Sequence, residues 1–172
     1  SIQSSLKKEG IYFINENEVK QSQKEFLKDF FLRKISPALV TIILSKRKKY
    51  DFTDNIAFLI TKMIFKKHED IHAIVEIPKN ISRFVVLPKE SKKQYIMLID
   101  DIIRYHLKII FSYYNYNSID THMVKITRDA EMDIDDIDMS KSYIKKISEY
   151  VKKRKYSNPV RLVYDKDISD ST

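Results

Sequence analysis

The chain has 172 residues, 43% of them hydrophobic, and carries 32 Lys and Arg against 24 Asp and Glu for a formal charge of +8. That length supports a single domain with a real core, and the absence of cysteine excludes a disulfide framework, a thiolate metal site and a cysteine nucleophile. Gly10 is the only glycine, which excludes a glycine-rich phosphate loop or a dinucleotide fingerprint, so any bound phosphate must be held by side chains or helix ends. No apolar run approaches the roughly 20 residues of a membrane-spanning helix, and no apolar secretory segment lies near the start. A reducing, cytoplasmic setting is expected. The positive charge suits a polyanionic partner, while a lysine-rich solvated surface accounts for it equally well.

In chain order, residues 1–9 are polar and Gly10 follows them. Glycine just past a helix end is a common stop signal, so this opening is expected to be the tail of a preceding helical domain in a longer protein. Ile11–Ile14 reads as a short strand. Ser22 and Glu25 have capping-box spacing, and Phe26, Leu27, Phe30, Phe31 and Ile35 follow at helical spacing, with Lys24, Lys28 and Arg33 on other faces. Pro37 predicts the end of that helix near Ser36. Residues 38–44 form a β-branched run, and Lys46-Arg47-Lys48-Lys49 makes a compact basic loop. Residues 56–65 and 71–77 predict a strand pair, joined by the polar segment Lys66-Lys67-His68-Glu69-Asp70.

Pro78 and Pro88 bracket Arg83-Phe84-Val85-Val86-Leu87, which predicts an edge strand. Residues 95–98 predict another short strand. Asp100 and Asp101 then open a helix to about Phe111, with Ile99, Ile102, Ile103, Leu107 and Ile110 as its apolar stripe. A Tyr- and Asn-rich loop precedes a strand from His122 to Thr127, which carries Arg128 and Asp129 out of a sheet. The acidic run Glu131, Asp133, Asp135, Asp136, Asp138 then precedes a predicted helix from about Ile137 to Lys155. Acid before a helix start and base toward its end both suit the helix dipole. Val160–Tyr164 predicts a final strand. Elements interspersed in this way predict an α+β fold: one domain over residues 1–172, with a mixed, largely antiparallel sheet packed by about three helices.

The residues alone identify no reaction centre. His68 and His72 stand four residues apart but straddle the predicted hairpin loop rather than share a helix, and no carboxylate arrangement completes a metal site with them; His106 and His122 pair with no other histidine. The acidic run fails the calcium-loop pattern for want of its turn glycine and its twelfth-position carboxylate. Arginine is used sparingly beside lysine, and Arg83, Arg104, Arg128 and Arg161 each stand at or near the edge of a predicted element. A guanidinium fork can pin a carboxylate at a domain seam, as Arg128 would with Asp129 or a chain end, or it can line a phosphate site.

Four blocks carry a family resemblance: Ser82-Arg83-Phe84-Val85-Val86-Leu87-Pro88, Met97-Leu98-Ile99-Asp100-Asp101-Ile102-Ile103-Arg104-Tyr105, Ile126-Thr127-Arg128-Asp129-Ala130-Glu131-Met132-Asp133, and Pro159-Val160-Arg161-Leu162-Val163-Tyr164. In order and spacing they resemble the middle, or head, domain of bacterial polyphosphate kinase, from about Gly10 to Ile168. The resemblance implies a parent enzyme that moves the terminal phosphate of ATP to and from polyphosphate, with Mg2+, through a phosphorylated histidine in a downstream domain. None of the four histidines here matches that residue, so no catalytic residue and no metal ligand is assigned, and the isolated chain is expected to be inactive. The head domain would shape the active-site region and take part in a homo-oligomer. Arg83, Arg104, Arg128 and Arg161 are the expected phosphate-facing or interdomain residues, with Lys46, Arg47, Lys48 and Lys49 as an outer patch and Asp129 and Glu131 as structural partners. Relatives often carry a Ser-His-Pro-Phe segment where this chain has Ser45-Lys46-Arg47-Lys48. Two other readings are a basic nucleic-acid-binding module, which would need exposed Tyr113, Tyr114 and Tyr116 among the cations, and a domain that only assembles.

Overall fold

A computed structural model of the chain describes residues 2–45, 56–128 and 159–164. Its elements run α1 (Ile2–Lys8), β1 (Ile11–Ile14), α2 (Lys24–Phe30), β2 (Val40–Ile43), β3 (Ile56–Ile64), β4 (Ile71–Glu76), β5 (Phe84–Val86), β6 (Gln94–Leu98), α3 (Ile99–Tyr105), α4 (Leu107–Ile110), β7 (Ser118–Arg128) and β8 (Pro159–Tyr164). The α+β class expected from the sequence holds, but the strands divide between two sheets. One is three-stranded, in the order β1-β6-β5; the other is five-stranded, in the order β2-β4-β3-β7-β8. Every pairing is antiparallel except β1 with β6, which is parallel with Ile11 opposite Gln94 and Ile14 opposite Met97.

The five-stranded sheet has apolar side chains on both faces. Strand alternation sends Leu59, Met63, Ala73 and Val75 into the main core, and Phe58, Ile74 and Val124 into a smaller cluster. Thr61 is fully buried on the main-core side, and its Oγ1 lies 3.1 Å from Thr121 Oγ1, so the two hydroxyls satisfy each other across β3 and β7. The predicted edge strand is β5. Val85 points inward, while Phe84 and Val86 stand exposed.

The main core is closed by the helices. Leu27, Phe31 and Ile35 recur every four residues and are all buried, with Phe26 and Phe30 packed beside them. After Phe30 the backbone widens into a π-helical turn (Phe31–Ile35). It ends in a 3-10 turn (Ser36–Ala38) around Pro37, where the sequence predicts the stop. The Ser22–Glu25 capping box does not form. Gln23 Oε1 instead accepts the Lys20 amide, and the Ser22 hydroxyl donates to Glu90 at 2.5 Å. Lys20 Nζ reaches the same Glu90 carboxylate at 3.1 Å and the Tyr95 hydroxyl at 2.5 Å, tying the α2 entry to the turn before β6.

The single helix expected from Asp100 to Phe111 is two. His106 leaves helical geometry at φ −105°, ψ 13°, between α3 and α4. The predicted stripe is nonetheless the one that packs: Ile99, Ile102, Ile103 and Leu107 are buried and Ile110 lies against them. The strand expected from His122 begins four residues earlier, at Ser118, and pairs with β3 along its length. No described helix is long and apolar enough to cross a membrane. The basic loop 46–49 and the predicted helix 137–155 lie outside the described residues.

Candidate functional site

Between α2, the α3–α4 joint and the start of β7 lies an open cleft of about 770 Å³. Lys24 and Lys28 sit one turn apart on α2 and face it from one side. Arg104, Lys108 and the face of His106 line it from the α3–α4 side; Asp120 and His122 come from β7, and Glu16 from the loop after β1. Lysine heads at the rim reach into solvent while their stems cover apolar surface. Four permanent cations against two carboxylates give this concavity a positive potential, the arrangement that concentrates an extended anion.

His106 anchors the cleft floor and is itself nearly enclosed. It is 3% exposed. Its ring stacks on Phe31 with centroids 4.3 Å apart and planes 7° apart. Nδ1 lies 2.8 Å from the Ile102 carbonyl, so Nδ1–H donates, because a carbonyl only accepts. Burial holds this imidazole below the usual histidine range. It acts here as a packed core group that braces the helix break. His122, half-buried on the opposite wall, is the cleft's more open imidazole.

A second group of charges lines a smaller cavity of about 360 Å³, where Lys7, Asn15, Glu18 and Asp101 stand among others. Asp101 lies in the first turn of α3, beside the buried Asp100 and within hydrogen-bonding reach of Glu16. Burial, then the charges of Asp100 and Glu16, push the Asp101 carboxyl up to about 7 against the opposing pull of Arg104.

Of the arginines singled out in the sequence, Arg104 lines the cleft. Arg83 does not. It is exposed before β5, with Nη2 3.8 Å from Met123 Sδ, and its backbone carbonyl accepts the Ile99 amide at 2.9 Å, which fixes β5 to the start of α3. Arg128 ends β7 and Arg161 lies in β8, brought to neighbouring register positions by the pair Thr127–Arg161 beside a bulge. Their side chains, and residues Lys46, Arg47, Lys48, Lys49, Asp129 and Glu131, lie outside the described residues. The sequence reading overlooked Lys24, Lys28 and Lys108. Their signal was present as cations on the polar faces of two amphipathic helices, but nothing in the sequence says that those faces meet. His68 and His72 gain no third ligand: among the described residues, no three His, Asp or Glu side chains converge to hold a metal ion.

Comparison with known proteins assigns the family. The model of the polyphosphate kinase middle domain matches residues 22–172. The chain belongs to the polyphosphate kinase family. It is 30% identical to the polyphosphate kinase of Yersinia pestis over 167 residues, covering 93% of this chain and 24% of that protein. Against the polyphosphate kinase of Escherichia coli K12 it is 30% identical over 171 residues, covering 94% and 24%. The chain therefore spans about a quarter of the length of these relatives. The crystal structure of polyphosphate kinase from Porphyromonas gingivalis superposes on 99% of this chain and 24% of its own with a TM-score of 0.74, at 22% identity, which establishes a common fold.

Proposed function

We propose that this chain is the head domain of a polyphosphate kinase, an enzyme that reversibly passes the terminal phosphate of ATP to a polyphosphate chain through a phosphohistidine in a downstream domain. The head domain contributes position and charge. Phosphoryl transfer makes few covalent demands on its surroundings and draws mainly on alignment and neutralisation of the phosphate oxygens. The observation that supports this role, beyond the family assignment, is the cleft whose cations Lys24, Lys28, Arg104 and Lys108 stand on two facing helical elements. Such a cleft holds part of a linear polyanion by displacing its counterions. In this reading Arg83, Arg128 and Arg161 work at seams with other domains, and Lys46–Lys49 form an outer patch. The parent enzyme uses ATP with Mg2+ in the cytoplasm and works as a homo-oligomer, and the 172-residue chain alone is inactive. Among the described residues, no three His, Asp or Glu side chains converge on a site that could hold the Mg2+.

Binding of long-chain polyphosphate to the chain at 50 and 200 mM salt tests the proposal. With four phosphate contacts and the counterion slope of a single-stranded polyanion, affinity should fall about fiftyfold between the two. Undetectable binding at 50 mM salt would leave the cations with a structural role only. The nucleic-acid alternative loses support from the tyrosines. Tyr113 is 98% exposed, but Tyr114 and Tyr116 pack against the main core, so no run of open aromatic faces forms.

A further inference from the structure

We propose that β5 and the groove beside it receive a short extended segment of the parent polypeptide from outside this chain, which adds a strand to the β1-β6-β5 sheet. This rests on the reading that the chain is one domain of a longer enzyme, and not on the cleft. The backbone prepares the site. β5 pairs with β6 through Phe84–Leu98, Val85–Met97 and Val86–Ile96. On either side of that stretch the Ile99 amide donates to the Arg83 carbonyl at 2.9 Å, and the Leu87 amide donates to the Tyr95 carbonyl at 2.9 Å. Hydrogen-bonded pairs alternate with non-bonded ones in an antiparallel ladder. Arg83, Val85 and Leu87 are therefore the bonded positions, and the main-chain groups of Phe84 and Val86 point away from β6. The Ser82 hydroxyl donates to the Phe84 carbonyl at 2.9 Å. β5 is the last strand of its sheet among the described residues, and no described group answers the two outward amides or the Val86 carbonyl.

The side chains match this backbone. Phe84 and Val86 are 54% and 57% exposed, and the Phe84 ring meets Phe13 edge-on with centroids 6.1 Å apart. Beside β5 lies an open groove of about 510 Å³, lined by Phe26, Phe30 and Lys34 of the α2 segment and by Ile81. Phe84, Val85 and Val86 all line it as well. Neighbouring side chains of a strand point to opposite faces, so a hollow touched by three in a row runs along the strand's edge. An open apolar edge without a lysine, a proline or a bulge is a pairing template that natural proteins cover or blunt. The length of β5, three residues, decides what covers it. A stable contact between separate molecules engages about 20–30 residues a side, far more than this edge and groove offer. A segment tethered in the same polypeptide has a high effective concentration, so a short pairing suffices. The polyphosphate kinases of Yersinia pestis and Escherichia coli are about four times as long as this chain, which leaves ample polypeptide to supply it. The segment that fits alternates β-branched or aromatic residues opposite Phe84 and Val86 and brings a carboxylate to the exposed Lys34.

The test is hydrogen–deuterium exchange, read by mass spectrometry on peptides covering residues 82–87, in the 172-residue chain and in the full-length enzyme that contains it. In the chain alone the Phe84 and Val86 amides should exchange at the rate of open backbone, while those of Val85 and Leu87, bonded to β6, stay protected. In the full-length enzyme the two outward amides should slow by at least about tenfold, the equivalent of one net hydrogen bond. Val86→Lys puts a charge on the edge at a side chain that is already exposed. It should leave thermal unfolding and polyphosphate binding of the 172-residue chain unchanged, and return the Phe84 amide to fast exchange in the full-length enzyme. Exchange equally fast in both proteins overturns the inference, as does a slowing that survives Val86→Lys undiminished. Slowing that appears in the 172-residue chain as its concentration rises assigns the edge to a second copy and overturns it too. Polyphosphate binding reports on the cleft separately, so failure of the cleft reading and failure of this inference are told apart.

Discussion

Replacing Gly10 with alanine perturbs one atom at a place where two constraints coincide. Gly10 has φ +78°, and a Cβ built on it would lie 2.9 Å from the Lys92 backbone oxygen. The left-handed backbone costs an L-residue roughly 1–2 kcal/mol. The contact falls on backbone that cannot swing away, in a turn closed by Glu90 N–H to Lys93 O at 3.0 Å and Lys93 N–H to Glu90 O at 2.9 Å. Shifting it adds about 1 kcal/mol. It also strains the Gln94 amide, which donates to the Gly10 carbonyl at 2.8 Å and opens the β1–β6 pairing. Against this, alanine reduces the freedom of the unfolded chain by roughly 0.4–1 kcal/mol. The net loss is about 2 kcal/mol, which for a chain of this length lowers Tm by roughly 4–8 °C. Urea unfolding followed by circular dichroism should show the midpoint fall with the slope unchanged. Gly10→Asn relieves part of the backbone term but keeps the Cβ contact, so it should fall between the two. A loss below about 0.5 kcal/mol for Gly10→Ala would refute the conformation assigned to this turn.

Phe31→Ala removes a fully buried ring and the stacking partner of His106, and should cost about 3–5 kcal/mol by the same urea assay. Asp101 has a folded value of about 7 against an ordinary 3.8. Its contribution to stability is therefore fully present below about 3.8 and is lost as pH rises through 7. The shift corresponds to at most about 4 kcal/mol, and partial exposure reduces this to roughly 1–2; Asp101→Asn should flatten stability over that window and stabilise the chain by that amount at pH 8. His106 runs in the opposite sense. Its lowered value means that stability present above the ordinary histidine pKa is lost as pH falls through the folded one, and an acid titration of the Asp101→Asn chain should expose this loss. Replacing both Lys24 and Lys28 by glutamine should reduce the salt slope of polyphosphate binding by about 1.4, with filter-binding titrations as the readout.

The parts of the fold legible in the sequence were those fixed by near neighbours along the chain. The β3–β4 hairpin follows from alternation around a polar loop, the α3 stripe from its 3.6-residue period, and β5 from its bracketing prolines. Long-range pairing was not legible. Nothing local to Ile11–Ile14 says that its partner is Gln94–Met97 in parallel, so one sheet was expected where there are two. The interruption at His106 was also hidden, because the apolar period continues across it while the ring turns inward onto Phe31. At the site, Arg104 was visible as a cation on an amphipathic helix beside two aspartates. Lys24 and Lys28, which join it across the cleft, stand about eighty positions earlier, and only tertiary packing brings them near.

The parallel β1–β6 register also sets an order of assembly. The β3–β4 hairpin closes over a handful of residues, whereas Ile11–Ile14 must wait for Gln94–Met97, so about eighty residues lie in the loop that this pairing closes. During synthesis from the N-terminus, β1 leaves the ribosome long before its partner β6 exists. Its docking is thus a late event, and refolding should show a slow step there, seen as delayed amide protection of Ile11–Ile14 relative to the β3–β4 hairpin.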